Sequence, residues 1–163
     1  MTEIRKLETS RWMEYRKLRL ESLKMSPLAF GSSYEEEASL GESEWKGRMK
    51  SALFAMVGPE PVGMIVCTFN KEAKFKHIAE VYSFYVRPSN RGKGIGSALL
   101  DRALRMAGSN TQVIKVRLYV NSQQRSAVRV YEKAGFAVVG TLEREMRIGR
   151  RYYEMLIMEK RIR

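Results

Sequence analysis

The sequence predicts an α/β fold in which a mixed sheet of six to seven strands carries about four helices on its two faces, in the order βααβββαβαββ. Three observations predict it. Strand-like and helix-like segments alternate along the chain, and two apolar, β-favouring runs flank the turn Gly58-Pro59-Glu60-Pro61. After Pro88 the apolar spacing changes from two residues to that of a helix. Hairpins combined with strand-helix-strand crossovers require a sheet with both antiparallel and parallel neighbours, which helices must then cover.

Taken in order, Ile4 to Leu7 reads as a short first strand. Ser10 is placed to cap a helix that runs through Trp12, Tyr15, Leu18 and Leu23 until Pro27 stops it. Tyr34 to Met49 reads as a second, acid-rich helix, with Glu35, Glu36, Glu37, Glu42 and Glu44. Leu53 to Val57 and Val62 to Phe69 form the hairpin about the Gly/Pro turn, and Ile78 to Val86 is the next strand. Ile95, Leu99, Ala103 and Met106 recur on one face and mark the central helix. Val113 to Val120 is a strand, and Ser122 to Lys133 is a helix closed by Gly135. Phe136 to Leu142 and Tyr152 to Met158 are the last two strands.

A chain of 163 residues, 44% hydrophobic, suits one domain over residues 1–163 with a core of its own. No window approaches the ~18 uninterrupted apolar residues of a membrane span, and the first residues lack the apolar segment of a secretion signal. The expectation is therefore a cytoplasmic protein without a membrane partner. A lone cysteine, Cys67, sits in an apolar run and reads as a buried structural thiol. His77 has no second ligand at useful spacing, so no metal is expected.

The net charge of +12 is uneven. Residues 1–70 hold ten basic and ten acidic side chains, and residues 71–163 hold twenty and eight. A basic half attracts a polyanion: nucleic acid, an anionic membrane surface or a phosphate-rich cofactor. Charge alone does not choose among them.

The stretch from Phe84 to Ser97 is the most informative, because it carries a strand through the glycine-rich turn Arg91-Gly92-Lys93-Gly94-Ile95-Gly96 into a helix. Glycines at alternate positions let a ligand approach the backbone, and the amides at the helix start form a nest for phosphate oxygens. Arg91 and Lys93 add charge there. A Walker loop is absent, and a dinucleotide fingerprint from Gly92 fails because residue 97 is Ser97.

Arg91, Gly94 and Gly96 meet the form [Arg/Gln]-x-x-Gly-x-[Gly/Ala], and here the sequence resembles the GNAT superfamily of N-acetyltransferases. A second stretch is similar to the family's other signature, Asn-x-x-Ala-x-x-x-Tyr-x-x-x-Gly-Phe. It is met by Ala127, Tyr131, Gly135 and Phe136, with Gln124 in place of the asparagine. The resemblance covers most of the chain, although the first third carries little specific signature.

The resemblance implies acetyl-CoA as cosubstrate, with no metal, and direct transfer of its acetyl group to a primary amine of a small molecule or protein. It places the pyrophosphate on Arg91, Gly92, Lys93, Gly94, Ile95, Gly96 and Ser97. The pantetheine arm falls on the backbone of Phe84, Tyr85 and Val86 and on Gln124 and Tyr131, and Lys133 lies with Arg125 and Arg129 toward the 3′-phosphate. By the same resemblance Tyr131 is the proton donor to the departing thiolate and Glu80, six residues before Val86, the general base. In a strictly alternating strand Glu80, Tyr82, Phe84 and Val86 share one face, unless a bulge near Phe84 intervenes. Glu35 to Glu37 fall in the region that borders the acceptor, and Arg144 to Tyr153 in a hairpin loop that closes over it.

Two other readings remain open. A catalytically degenerate domain of the same family could hold acetyl-CoA as a sensor. A nucleic-acid-binding domain is disfavoured because no helix-turn-helix or aromatic stacking signature accompanies the charge. Dimers are common in the family, so a homodimer is within expectation.

Overall fold

The computed structural model describes every residue from Met1 to Arg163. It contains seven strands in one mixed sheet and five α-helices. The strands are β1 (Thr2–Arg5), β2 (Ala52–Val57), β3 (Glu60–Phe69), β4 (Ile78–Val86), β5 (Lys115–Asn121), β6 (Ala137–Ile148) and β7 (Arg151–Arg161). Their spatial order is β1-β2-β3-β4-β5-β7-β6. The helices are α1 (Trp12–Met25), α2 (Tyr34–Ala38), α3 (Glu42–Met49), α4 (Ile95–Ser109) and α5 (Arg125–Lys133). The chain divides into two compact units, Met1–Val66 with Ser83–Ala103, and Cys67–Tyr82 with Leu104–Arg163, so β4 and α4 each contribute to both.

In the first unit, β1, β2 and β3 pair antiparallel, and the positive φ of Gly58 turns the tight hairpin between the last two. Ala52 to Met56 and Val62 to Val66 are buried at almost every position, a pattern that requires cover on both faces of the strands. On one face α1 and α3 supply it. Tyr15 meets Trp45 and Phe54 edge-on, with ring centroids 5.4 Å apart in each pair, and Leu18, Met49, Met56 and Met64 fill the space around them. On the other face Gly63 lets α4 approach. A Cβ there would stand 3.0 Å from both the Leu99 side chain and the Tyr85 carbonyl.

The expected second helix is two helices. Ser33 and Glu36 form a reciprocal capping box that starts α2, and a new start at Gly41, whose N–H donates to Glu44 2.9 Å away, begins α3. Two start signals eight residues apart outweigh the continuous acidic pattern. Ser10 is likewise not the cap of α1. Thr9 to Arg11 form a 3-10 turn, Arg11 occupies the cap position, and no side chain bonds the helix start.

Two further acids of that region serve the fold. Glu37 is buried and accepts from both Nε and Nη2 of buried Arg19 at 2.8 Å, with Arg48 3.1 Å away. Arg19 also stacks 4.5 Å above the Phe30 ring. Burial pushes the Glu37 carboxyl up, but the Arg19 bond and charge, followed by Arg48, pull it further down, below the ordinary carboxylate value. Glu36, although exposed, is spent on its cap, and Glu35 is exposed beside it.

In the second unit β4 pairs parallel with β5, and β5, β7 and β6 pair antiparallel. Along β5, Val116, Leu118 and Val120 are buried, while Lys115 and Arg117 are half-buried and Tyr119 is exposed. Glu159 of β7, directly opposite Arg117, pairs with both cations. The left-handed Gly135 (φ 93) ends α5, with Ala134 at the cap. The expected loop over 144–153 is instead a continuation of β6 and β7. It is interrupted by a register shift between Leu142 and Met146, where Arg144 is left-handed, and turned at Gly149-Arg150. Cys67 is buried, and burial pushes its thiol to about 11. No helix is long and apolar enough to cross a membrane.

Removing one partner of a buried ion pair strands the other charge. Arg19→Met is expected to cost ~3–5 kcal/mol in chemical denaturation. The depressed Glu37 carboxyl contributes stability that is present above the unfolded value of 4.5 and lost as pH falls through its lower folded value. Glu37→Gln should therefore flatten the acid limb of the stability-pH curve.

Candidate active site

The first unit contains the glycine-rich turn and the end of β4 that feeds it. Ser83, inside β4, has φ 54, a left-handed conformation that a regular strand does not contain. Strict strand alternation is therefore not maintained through Ser83. Beyond it, Phe84 and Val86 point toward α4. A Cβ on Gly96 would lie 3.2 Å from Phe84 Cζ and 3.8 Å from Val86 Cγ2. Tyr85 points the other way, buried edge-on against Phe30 at 6.4 Å. Its hydroxyl donates to Glu21 of α1 at 3.0 Å, and burial followed by that bond pushes the phenol to about 12.

The three glycines of the turn are needed for different reasons. Gly92 and Gly94 are left-handed, with φ 74 and 79, while beyond the adjoining residues nothing lies within 4 Å of where their Cβ atoms would be. Backbone conformation demands glycine there, and crowding by Phe84 demands it at Gly96. The first hydrogen bond into α4 runs from Ala98 N–H to Gly94 C=O at 3.0 Å. The amides from 92 to 97 therefore precede the helical ladder and stand at the positive end of the helix dipole. Ile95 is buried and anchors the helix start, whereas Gly92, Lys93, Gly94 and Ser97 are exposed.

The cations of the turn are partly engaged. Arg91 Nε donates to Val86 C=O at 2.8 Å, with its guanidinium carbon 5.7 Å from the Tyr85 ring centroid, and Lys93 Nζ donates to Ser89 C=O at 3.1 Å. Arg87, which the sequence did not single out, donates from Nε to both Glu21 oxygens at 3.0 and 3.1 Å and from Nη1 to Glu60 at 3.2 Å. Glu21 lies 64 and 66 residues from Tyr85 and Arg87, so no local pattern reveals it.

The second unit contains the remaining expected residues. Glu80 is half-buried and opposite Arg117 at the last rung of the β4–β5 ladder, while β5 keeps its pairing with β7 through Asn121. Tyr131 is buried on α5, with its ring 5.9 Å from that of Phe136, and burial pushes its phenol well above 10. Gln124 sits at the cap position of α5 and is half-buried; its main chain accepts from Val128 N–H, and no side-chain cap bond forms. Lys133, Arg125 and Arg129 are exposed on the same helix. His77 contributes its carbonyl to Ile114 and Lys115, and no three His, Cys, Asp or Glu side chains converge.

Gly94→Ala forces an alanine into a left-handed conformation at ~1–2 kcal/mol. It should shift the amides ahead of α4 and lower anion affinity, read by titration with pyrophosphate. Tyr85 and Tyr131 should remain protonated when pH reaches 10, so replacing either with Phe should leave the tyrosinate absorbance at that pH unchanged.

Residues 11–136 match the model of the acetyltransferase (GNAT) family. Over 84 residues the chain is 30% identical to the spermidine N(1)-acetyltransferase of Vibrio cholerae, covering 52% of this chain and 49% of that one. Over 130 residues it is 28% identical to the mycothiol acetyltransferase of Mycolicibacterium gilvum, covering 74% and 43%. The chain thus spans less than half the length of these two curated relatives. Among solved structures, a GNAT-family acetyltransferase from Streptococcus pneumoniae superposes with a TM-score of 0.86 at 22% identity, over 99% of this chain and 100% of that one. The phosphinothricin acetyltransferase of Sinorhizobium meliloti in complex with acetyl-CoA gives 0.80 at 17%, over 98% and 88%. The structural likenesses establish the fold, and the match to the family model over most of the sequence establishes descent: the chain belongs to the GNAT family of acetyltransferases.

Proposed function

We propose that residues 1–163 act as one N-acetyltransferase domain that moves the acetyl group of acetyl-CoA directly onto a primary amine of a small molecule or protein. The observation that carries this reading is the row of amides from 92 to 97, held ahead of the first helical bond by two left-handed glycines. Such a row, with Arg91 and Lys93 beside it, suits a pyrophosphate. The backbone of Phe84 to Val86 and the side chain of Gln124 receive the pantetheine, with Val86 left to use its N–H because its carbonyl already accepts from Arg91. Exposed Arg125, Arg129 and Lys133 draw in the 3′-phosphate.

Acetyl-CoA supplies an acetyl group activated as a thioester. Glu80 accepts a proton from the acceptor ammonium through water, which frees the nitrogen lone pair to form the C–N bond. A main-chain N–H in the Phe84 to Val86 stretch donates to the carbonyl oxygen as negative charge builds there, a contribution of ~3 kcal/mol for one well-placed donor. Tyr131 donates a hydrogen bond to sulfur while the C–S bond breaks. Burial keeps its phenol protonated, and because a thiol near 8.5 is a stronger acid than a phenol, Tyr131 stabilises the departing thiolate without giving up its proton; the second proton, released by the attacking nitrogen as the amide forms, passes through solvent to sulfur.

Tyr131→Phe should lower kcat by ~100-fold or more while calorimetry shows coenzyme A binding retained. Glu80→Gln should lower the rate at neutral pH, with partial recovery at higher pH as the free amine becomes abundant. Thiol release over a panel of polyamines, amino acids and peptide amines tests the reaction. Coenzyme A uptake with no turnover on any amine would replace the enzyme reading with that of a sensor.

A further inference from the structure

We propose that Glu21 is a positioning residue for the cofactor loop, setting from α1 the geometry of both arginines that flank the end of β4. The inference rests on the reading of residues 91–97 as the coenzyme A pyrophosphate site.

One carboxylate gathers the contacts. Glu21 accepts from Arg87 Nε through both oxygens, at 3.0 and 3.1 Å, and from the Tyr85 hydroxyl at 3.0 Å. Arg87 is the joint between the strand and the loop. Its N–H donates to Val62 C=O at 2.8 Å, its C=O accepts from Asn90 N–H at 2.9 Å, and Pro88 begins the short 3-10 turn that leads to Gly92. Tyr85 in turn carries Arg91 beside its ring, while Arg91 Nε closes the loop back onto Val86 C=O. Glu21 thus holds Arg87 directly and Arg91 through Tyr85. A charge-assisted, two-oxygen bond restricts the guanidinium far more than solvent would.

The arrangement runs against simple charge attraction. A polyanion site gains from every free cation, yet Glu21 and Glu60 neutralise Arg87 beside the loop. If Glu21 mattered only through its charge, its removal would free Arg87 and tighten coenzyme A binding. If it matters through position, removal lets the strand-to-loop joint move and weakens binding. The two accounts differ in sign.

Calorimetry with coenzyme A on the wild type, Glu21→Ala and Glu21→Gln decides between them, run well below each variant's Tm. Glu21→Ala is expected to weaken affinity about tenfold, the scale of one charge-assisted hydrogen bond. Glu21→Gln, which keeps the shape and one acceptor, should weaken it less. With acetyl-CoA as varied substrate, KM should rise with affinity loss while kcat at saturation and the acceptor KM hold. A merely structural residue would lower Tm and leave the coenzyme A affinity unchanged. Equal or tighter binding by Glu21→Ala overturns the proposal, and if that variant does not fold, the same result with Glu21→Gln does so. A wild type that takes up no coenzyme A overturns the functional reading itself, a failure recognisable before any variant is compared.

Discussion

Where the backbone hydrogen bonds of β4 go governs what this chain can hold. A strand in a sheet interior must pair its amides and carbonyls on both edges or pass them to another partner. In the second unit the β4 ladder with β5 runs from Ile78 and Lys115 to its last rung at Glu80 and Arg117. Ser83 follows three residues after that rung, with a left-handed backbone that no regular strand contains. Conformational strain of this kind persists only where the surroundings impose it, and it stands next to the segment to which the proposed reaction assigns the pantetheine.

The same economy of backbone groups explains the turn that follows. Left-handed glycines at 92 and 94 delay the start of α4, so the amides ahead of Ala98 point out of the ladder instead of into it. The conformation of the turn is fastened by side-chain hydrogen bonds as well as by the packing of Ile95 and Gly96. Arg91 ties it to Val86, Lys93 ties it to Ser89, and Arg87 anchors its entry. Charged groups that look, in a one-dimensional reading, like bait for a phosphate are here also struts.

That dual use changes how the charge excess should be understood. Arg19, Arg87, Lys115, Arg117 and Arg163 are all occupied by carboxylates or carbonyls. Glu37 and Glu36, which resemble an acidic lure for an amine, are instead a buried counter-ion and a helix cap. Net charge counts every side chain equally, whereas the field at a site depends on which charges remain uncompensated.

The sequence by itself determined the kind and order of nearly every element, because hydrophobic spacing, Gly/Pro turns and the strand-to-helix glycine pattern are local signals. It also placed a glycine-rich turn between a strand and a helix, since a row of amides suited to phosphate is built from consecutive residues. The tertiary structure decided what depends on partners distant along the chain. It split one expected helix between two competing caps and extended the last hairpin through a left-handed Arg144, where pairing with β7 outweighs the polar composition. It set a left-handed Ser83 between Glu80 and Phe84, and it brought Glu21 to Tyr85 and Arg87 across more than sixty residues. Such contacts leave no periodic trace in the residues that make them, because their spacing is set by the folding of helices onto a sheet and not by the repeat of either element.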